Sequence, residues 1–237
     1  MLRCCSLWMH RAARDIAAQQ REAALALFSR FGHGSRVAVL HFADFVRLTV
    51  PFTTDLEAAQ DAFNLPAQES HGTAIFDGAA AAVRSFDGSG GFSMERRIVL
   101  LMSDGLDTIS STSYATIVDA ARVRGVSFYV IHFPLFAPRE GRLAPRLPSK
   151  GFRELAEQTG GRYFHVGDAR SALDPHAQYD LSAVFKSIED DLASQYLLGF
   201  YPGEAVRDGR VHRIEVQLAR NDHRLRVKAF RDVYSLK

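Results

Sequence analysis

The chain has 237 residues, 47% hydrophobic and 24% charged, which is the balance of an ordinary globular protein long enough to bury a core without staples. Twenty-nine lysines and arginines against 27 aspartates and glutamates leave a net charge of +2, which excludes a global attraction for nucleic acid or acidic lipid. The two cysteines, Cys4 and Cys5, are adjacent, so they build no disulfide framework and lack metal-ligand spacing.

Residues 1–14 read as an atypical N-terminal remnant. No stretch of the chain approaches the ~20 apolar residues of a membrane span. Met1 to His10 carries Arg3 but no long apolar core behind it, so no signal peptide is expected and the chain as written reads as cytoplasmic. Asp15 to Phe31 has helical periodicity, with Ile16, Ala23, Ala24, Leu27 and Phe28 on one face and Gly32 and Gly34 ending it. Val37 to Phe42 is a nearly continuous apolar run, the pattern of a strand covered on both faces. Phe45 to Phe52 reads as a second strand, and Asp55 to Phe63 as a short helix.

His71-Gly72-Thr73 is a loop opening an alanine-rich helix over Ala74 to Phe86, and Asp87 to Gly91 is a glycine-rich connection. Ile98 to Met102 is another buried strand. Ser113 starts a helix with Tyr114, Ile117, Val118 and Ala121 inward, and Val126 to His132 is the next strand. A loop with Pro134, Pro138, Pro145 and Pro148 follows, too rich in proline for a helix or a central strand. Phe152 to Thr159 is a helix closed by Gly160-Gly161. Arg162 to Val166 is a short strand, and Leu181, Val184, Phe185, Ile188 and Leu192 mark an amphipathic helix.

The tail differs. Tyr196 to Phe200, Val211 to Leu218 and Leu225 to Phe230 read as strands joined by turns at Pro202-Gly203, Asp208-Gly209 and Asn221-Asp222. An antiparallel addition thus follows an alternating β–α body, giving an α/β body over 15–195 and a β extension over 196–237. The arginines of the tail are spread along these strands, as on a solvated strand face rather than a nucleic-acid patch.

Two stretches carry chemistry. The strand Ile98 to Met102 ends in Ser103-Asp104-Gly105-Leu106-Asp107-Thr108, and ligands of open α/β sheets bind at such carboxyl ends. Gly72-Thr73-Ala74-Ile75-Phe76-Asp77 opens a helix, where Thr73 can cap the helix or offer its hydroxyl to a hard cation. Asp104 can equally be a plain turn residue. Asp107 and Thr108 suit a loop-stabilising or helix-capping role, and Asp77 a structural one. His41 and His132 lie on expected buried strands and read as satisfied core residues. No histidine pair has zinc-ligand spacing. Ser103 lacks the partners of a nucleophile elbow and no phosphate-binding Gly-x-x-x-x-Gly-Lys loop exists, so an enzyme is not expected.

Gly72 to Asp77 followed by strand–Ser-Asp-Gly-Leu-Asp-Thr resembles the von Willebrand factor type A (VWA) fold, and more closely its bacterial branch of VWFA-related proteins, of the Acidobacteria type. Leu155 to Arg162 is similar to that branch's LAxxTGG turn, Gln195 to Pro202 to its QYxLGYxP strand, and Asp208 to Ile214 to its DGxxHxI segment. The resemblance implies a three-layer α/β/α fold with a mostly parallel sheet, and a non-enzymatic protein-binding module. Its metal-ion-dependent adhesion site would hold Mg²⁺ or Mn²⁺ and accept an acidic residue of a protein partner. Thr73 and Asp104 match two of its three metal loops. The first loop, Asp-x-Ser-x-Ser, is absent before Asp15, and only Ser6 remains when Met9 is aligned with the methionine after that motif. The family's first, central strand also reads as missing, as from a truncated or misread start. Metal binding is therefore expected to be weak or absent. Gly72, Gly105 and Asp107 are expected to frame the partner contact. A different class of function is a metal-independent scaffold or oligomerisation domain using the β extension and its Tyr196, Phe200 and Tyr201. The resemblance also implies that relatives are often exported.

Overall fold

The computed structural model describes residues 2–9, 35–62, 72–87, 95–174, 179–196, 198–201, 203, 209–220, 227, 229 and 233–235. The helix expected over Asp15 to Phe31 lies outside the described residues. The chain divides into two compact units, Met1–Gln195 and Tyr196–Lys237.

In the first unit six strands form one sheet: β1 (Leu2–Met9), β2 (Arg36–Phe42), β3 (Val46–Thr53), β4 (Arg96–Ser103), β5 (Val126–His132) and β8 (Tyr163–His165), in the order β3-β2-β1-β4-β5-β8. All neighbours are parallel except β2 and β3, which form an antiparallel pair. This corrects the expectation of a missing first strand. Leu2–Met9 occupies the centre, pairing with β2 from Arg3↔Arg36 to Met9↔Phe42 and with β4 from Leu2↔Arg96 to Trp8↔Met102. Its sequence is apolar at Leu2, Cys4, Cys5, Leu7, Trp8 and Met9, without the alternation of a half-wet strand, as a strand covered on both faces requires.

Five described helices lie on the two faces: α1 (Leu56–Ala62), α2 (Ile75–Arg84), α3 (Tyr114–Arg124), α4 (Phe152–Thr159) and α5 (Ser182–Ser194). Strand side chains alternate between two cores. Ala38, Leu40, Phe42, Val99, Leu101, Phe128 and Val130 meet α2, α3 and α4 on one face. Val37, Val39, Ile98, Leu100, Met102, Tyr129 and Ile131 meet α1 and α5 on the other. Tyr129 is fully buried, yet its hydroxyl donates to Asp191 Oδ2 of α5 at 2.6 Å, and Arg96 covers the end of α5 by donating to Leu192 O and Gln195 O. Burial and the nearby Asp191 carboxylate push the Tyr129 pKa well above its ordinary value, so the phenol stays protonated.

The proline-rich stretch after β5 is more ordered than a loop. It forms a separate two-stranded hairpin, β6 (Phe136–Arg139) with β7 (Arg142–Pro145). Proline is tolerated there because neither strand is central. In the second unit, β9 (Val211–Arg213) pairs antiparallel with β10 (Val233–Ser235). Tyr196, Leu198–Tyr201 and Ile214–Leu218 lie in no strand paired with a described residue, and of the strand expected over 225–230 only Val227 and Ala229 are described.

The Thr159-Gly160-Gly161 turn shows why those residue types stand there. Thr159 Oγ1 accepts from Phe128 N–H at 2.9 Å and donates to Leu155 O at 2.6 Å, tying α4 to β5. Gly160 ends the helix at φ +85°. At Gly161 a Cβ would fall 1.8 Å from the Phe128 carbonyl oxygen, a backbone atom that cannot step aside. Gly161→Ala is therefore expected to cost about 3 kcal/mol or more, lowering the melting temperature by roughly 6–12 °C. At Gly125, φ +64° with open space around it, Gly125→Ala is expected to cost only about 1 kcal/mol. Thermal melts of the two variants check the difference.

Candidate functional site at the carboxyl edge of the sheet

Strand order runs outward from β1 in both directions, to β2 and β3 on one side and to β4, β5 and β8 on the other. Such a reversal leaves a crevice at the carboxyl ends of the two strands where it occurs, here β1 and β4. Asp104 is the first residue beyond β4 and is 8% exposed. Its Oδ1 accepts the Leu106 N–H at 3.0 Å, and Ser103 Oγ accepts the Gly105 N–H at 3.1 Å. The chain turns at Gly105, φ +79°, where a Cβ would lie 2.8 Å from Pro148 Cβ and 3.0 Å from His132 Nε2.

Thr73 faces this turn from the next loop and is 2% exposed. It does not cap α2, whose N-cap is Ala74. Instead its N–H donates to Thr108 Oγ1 at 2.8 Å and its carbonyl accepts the Thr108 N–H at 2.9 Å. The amides at the start of α2 are covered from across the crevice. Phe76 N–H reaches Ser110 Oγ at 3.0 Å and Asp107 Oδ1 at 3.3 Å, Asp77 N–H reaches Ser110 Oγ at 3.1 Å, and Ser110 donates to Asp107 Oδ1 at 2.5 Å. Asp77 reciprocates, accepting from Ser111 N–H at 3.0 Å and Thr112 N–H at 2.9 Å. Burial acts to raise the Asp77 pKa, but the hydrogen bonds from Thr112 and Ser111 outweigh it and hold the carboxyl below its ordinary value.

A third loop joins the same edge. Ser149 N–H donates to Gly105 O at 2.8 Å, and Asp107 N–H donates to Ser149 Oγ at 2.9 Å. Beneath it lies His132, the last residue of β5, 2% exposed. Its Nε2 is 2.9 Å from the Asp104 carbonyl, which can only accept, so that nitrogen carries the proton. Nδ1 is then the acceptor for the Tyr163 hydroxyl. Desolvation pushes the His132 pKa down to about 4, against the opposing pull of the Asp104 carbonyl, so the ring is neutral at physiological pH.

The structure thus gathers Gly72, Thr73, Asp104, Gly105 and Asp107 at one edge. Gly72 is buried where a Cβ would meet Ile109 Cγ2 at 2.8 Å. Asp107 works as a remote cap for α2, and Asp77 as a structural anchor. Ser6 is not among them. It pairs with Val39 and Leu100, four residues before the level of Asp104, or ~13 Å down the strand. Ser110 and Ser149 join the edge without standing in either of the sequence motifs. A signal existed for Ser110, which follows Asp107 at the spacing of a local side-chain hydrogen bond. None existed for Ser149, in a proline-rich stretch distant in sequence.

A family model for the von Willebrand factor type A domain matches residues 12–178, well over half of the chain. The chain belongs to the von Willebrand factor type A family. Its fold is similar to an aerotolerance-related membrane protein from Bacteroides fragilis carrying multiple mutations to serines (17% identity, TM-score 0.58, 82% of this chain and 100% of that one). It is also similar to a von Willebrand factor type A protein from Catenulispora acidiphila (16% identity, TM-score 0.59, 81% and 42%). A third similar structure is proximal thread matrix protein 1 from the mussel byssus with a zinc-occupied MIDAS motif (16%, 0.62, 81% and 48%). Identities this low show the fold alone. No curated protein matches the sequence. VWA domains are, as a type, protein-interaction modules.

The metal that this family implies finds a poor donor set here. Mg²⁺ demands six oxygens in near-octahedral array. Thr73 and Asp104 offer two side chains, one Asp104 oxygen already serves Leu106, and Ser6 stands four residues lower in the register of the sheet. The residues that follow β1 in sequence are His10, Arg11, Ala12, Ala13 and Arg14, without an oxygen donor among their side chains. Among the described residues no cluster of three His, Cys, Asp or Glu could hold a metal either. Among the described residues the family's full donor set is not assembled.

The buried His132 makes stability depend on pH. The unfolded imidazole takes up a proton near pH 6.5, whereas the folded one resists until about pH 4. The contribution is therefore complete above pH 6.5 and declines as pH falls toward 4, by up to about 1.4 kcal/mol per unit. Melting temperature is expected to drop between pH 6.5 and 5, and His132→Gln, which keeps a donor for Asp104 O, is expected to flatten that slope. Parallel slopes for the two proteins would contradict the assignment.

Proposed function

We propose that this VWA domain is a non-enzymatic protein-recognition module that engages an acidic residue of its partner at the carboxyl edge of the sheet, over a degenerate adhesion site. The observation that supports this reading is the strapping of three loops around Asp104 and Thr73 by hydrogen bonds of the protein itself: Thr73 with Thr108, Ser110 and Asp107 with the α2 amides, Ser149 with Gly105 and Asp107. A binding surface gains affinity when its loops are ordered before the partner arrives. Here that ordering needs no ion, so Mg²⁺ or Mn²⁺ has a weak role or none. A second reading has one observation in its favour. Tyr196, Leu198, Phe200 and Tyr201 of the C-terminal unit are all more than half exposed, and they would suit a metal-independent scaffold or self-association contact.

A peptide-display selection on the full chain in EDTA tests the proposal. Acidic peptides are expected to be enriched, and to bind several-fold more weakly to Ser110→Ala, which removes a strap without changing charge. Enriched peptides that ignore Ser110→Ala but are lost when Tyr196, Phe200 and Tyr201 are changed to serine would favour the second reading. Turnover of generic ester or phosphate substrates would overturn both. Melting in EDTA and then in excess Mg²⁺ tests the ion. A full site at 100 times its dissociation constant would add ~2.7 kcal/mol, or roughly 5–10 °C for a chain of this size, and a far smaller shift is expected.

A further inference from the structure

The hairpin after β5 carries charge that the fold does not use. Between Phe133 and Gly151 stand Arg139, Arg142, Arg146 and Lys150 against the single carboxylate of Glu140, a net +3 in a chain whose whole net charge is +2. All five are exposed. Several arginines elsewhere in this unit hold structure together. Arg96 covers the end of α5, Arg122 donates to Gln158 O, Arg124 pairs with Asp87, and Arg162 pairs with Asp191. Arg139, Arg142, Arg146 and Lys150 make no side-chain hydrogen bond or ion pair with a described residue.

The register makes the accumulation costly. Arg139 and Arg142 are direct cross-strand partners, and like charges placed opposite each other destabilise a ladder. The turn between them sets Glu140 at φ +52°, the one positive-φ residue other than glycine among the described residues. The hairpin is also not independent of the crevice. Ser149, which follows β7 by four residues, is bonded to Gly105 and Asp107. Beside the cations Leu135 is 44% and Leu147 83% exposed, so the patch mixes positive charge with aliphatic surface.

We infer that the β6–β7 hairpin is a second contact for the partner, and that it fits an acidic protein segment carrying aliphatic side chains. The inference rests on the proposed recognition at the carboxyl edge and gives that partner its chemistry. The cations would supply, on a hairpin tied to the crevice through Ser149, positive charge of the kind that a metal ion brings in a complete site. A segment with carboxylates would relieve the Arg139–Arg142 repulsion, and its aliphatic residues would cover Leu147 and Leu135.

The test uses the full chain and a labelled peptide of alternating glutamate and leucine, in EDTA, by fluorescence anisotropy. Binding is expected to weaken steeply with added salt and to exceed that of the glutamine–leucine control. The triple change Arg139→Gln, Arg142→Gln, Arg146→Gln, at exposed positions and so expected to melt as the parent does, should lose at least about tenfold in affinity, or 1.4 kcal/mol. Equal binding by the triple variant, or by the uncharged control, overturns the inference. Binding to phosphatidylserine vesicles that surpasses binding to the peptide also overturns it, by assigning the cations to a membrane surface. The two readings fail separately. Affinity lost with Ser110→Ala but kept in the triple variant leaves the carboxyl-edge proposal standing without the hairpin, and the reverse leaves the hairpin without the edge.

Discussion

Three segments from different parts of the chain must be held side by side before the end of this sheet can recognise anything, and in this chain the bridge between Thr73 and Thr108 is where that constraint is first met. The two residues exchange a carbonyl–amide bond and an amide–hydroxyl bond between the segment entering α2 and the segment leaving β4. Each such bond contributes only about 1 kcal/mol net. Its larger effect is positional. With the backbone of Thr73 fixed to Thr108, Ser110 and Asp107 come within reach of the α2 amides, and Asp77 within reach of the Ser111 and Thr112 amides. The amides at a helix start would otherwise need water or an ion's ligands to satisfy them.

A solved structure of similar fold, proximal thread matrix protein 1 from the mussel byssus, has a zinc-occupied MIDAS motif. In this chain the two oxygen-bearing loops that a metal would share are kept, but hydrogen bonds between them already close the edge. The buried neutral His132 extends the closure downward. It takes the Tyr163 hydroxyl on one nitrogen and gives its proton to the Asp104 carbonyl with the other, so the turn is pinned to both β5 and β8. A charged ring at this depth would face a large desolvation cost, and the two partners make neutrality the natural state.

The alternating body of the fold is legible in the sequence because buried strands such as Ile98 to Met102 and helices such as Ser182–Ser194 carry strong apolar patterns. Leu2–Met9 is the exception. Without the acidic and hydroxyl residues that usually mark the end of the family's first strand, and with Arg3 near its start, its eight residues offer no local sign of which strands they join; only the parallel register with β2 and β4 reveals it. The site was half legible. Asp104 and Thr73 stand in short motifs tied to strand and helix ends. Ser149 lies 42 residues from Asp107, and the His132–Tyr163 contact spans 31 residues, distances over which a single sequence carries no pairing information. The prolines of the β6–β7 hairpin mask it as a loop, since they argue only against central strands. In the C-terminal unit, Ile214 to Leu218 alternate as strands do, and among the described residues the observed ladder covers only Val211–Arg213 and Val233–Ser235.

Amide hydrogen exchange at Phe76, Asp77, Asp107 and Thr108, followed in EDTA and again in excess Mg²⁺, tests most directly whether the protein's own hydrogen bonds close this edge. Strong protection that is the same in both conditions is the predicted result. Rapid exchange in EDTA that slows when Mg²⁺ is added would contradict the account, and would mean that an ion, not the Thr73–Thr108 bridge and the Ser110 strap, holds the loops together.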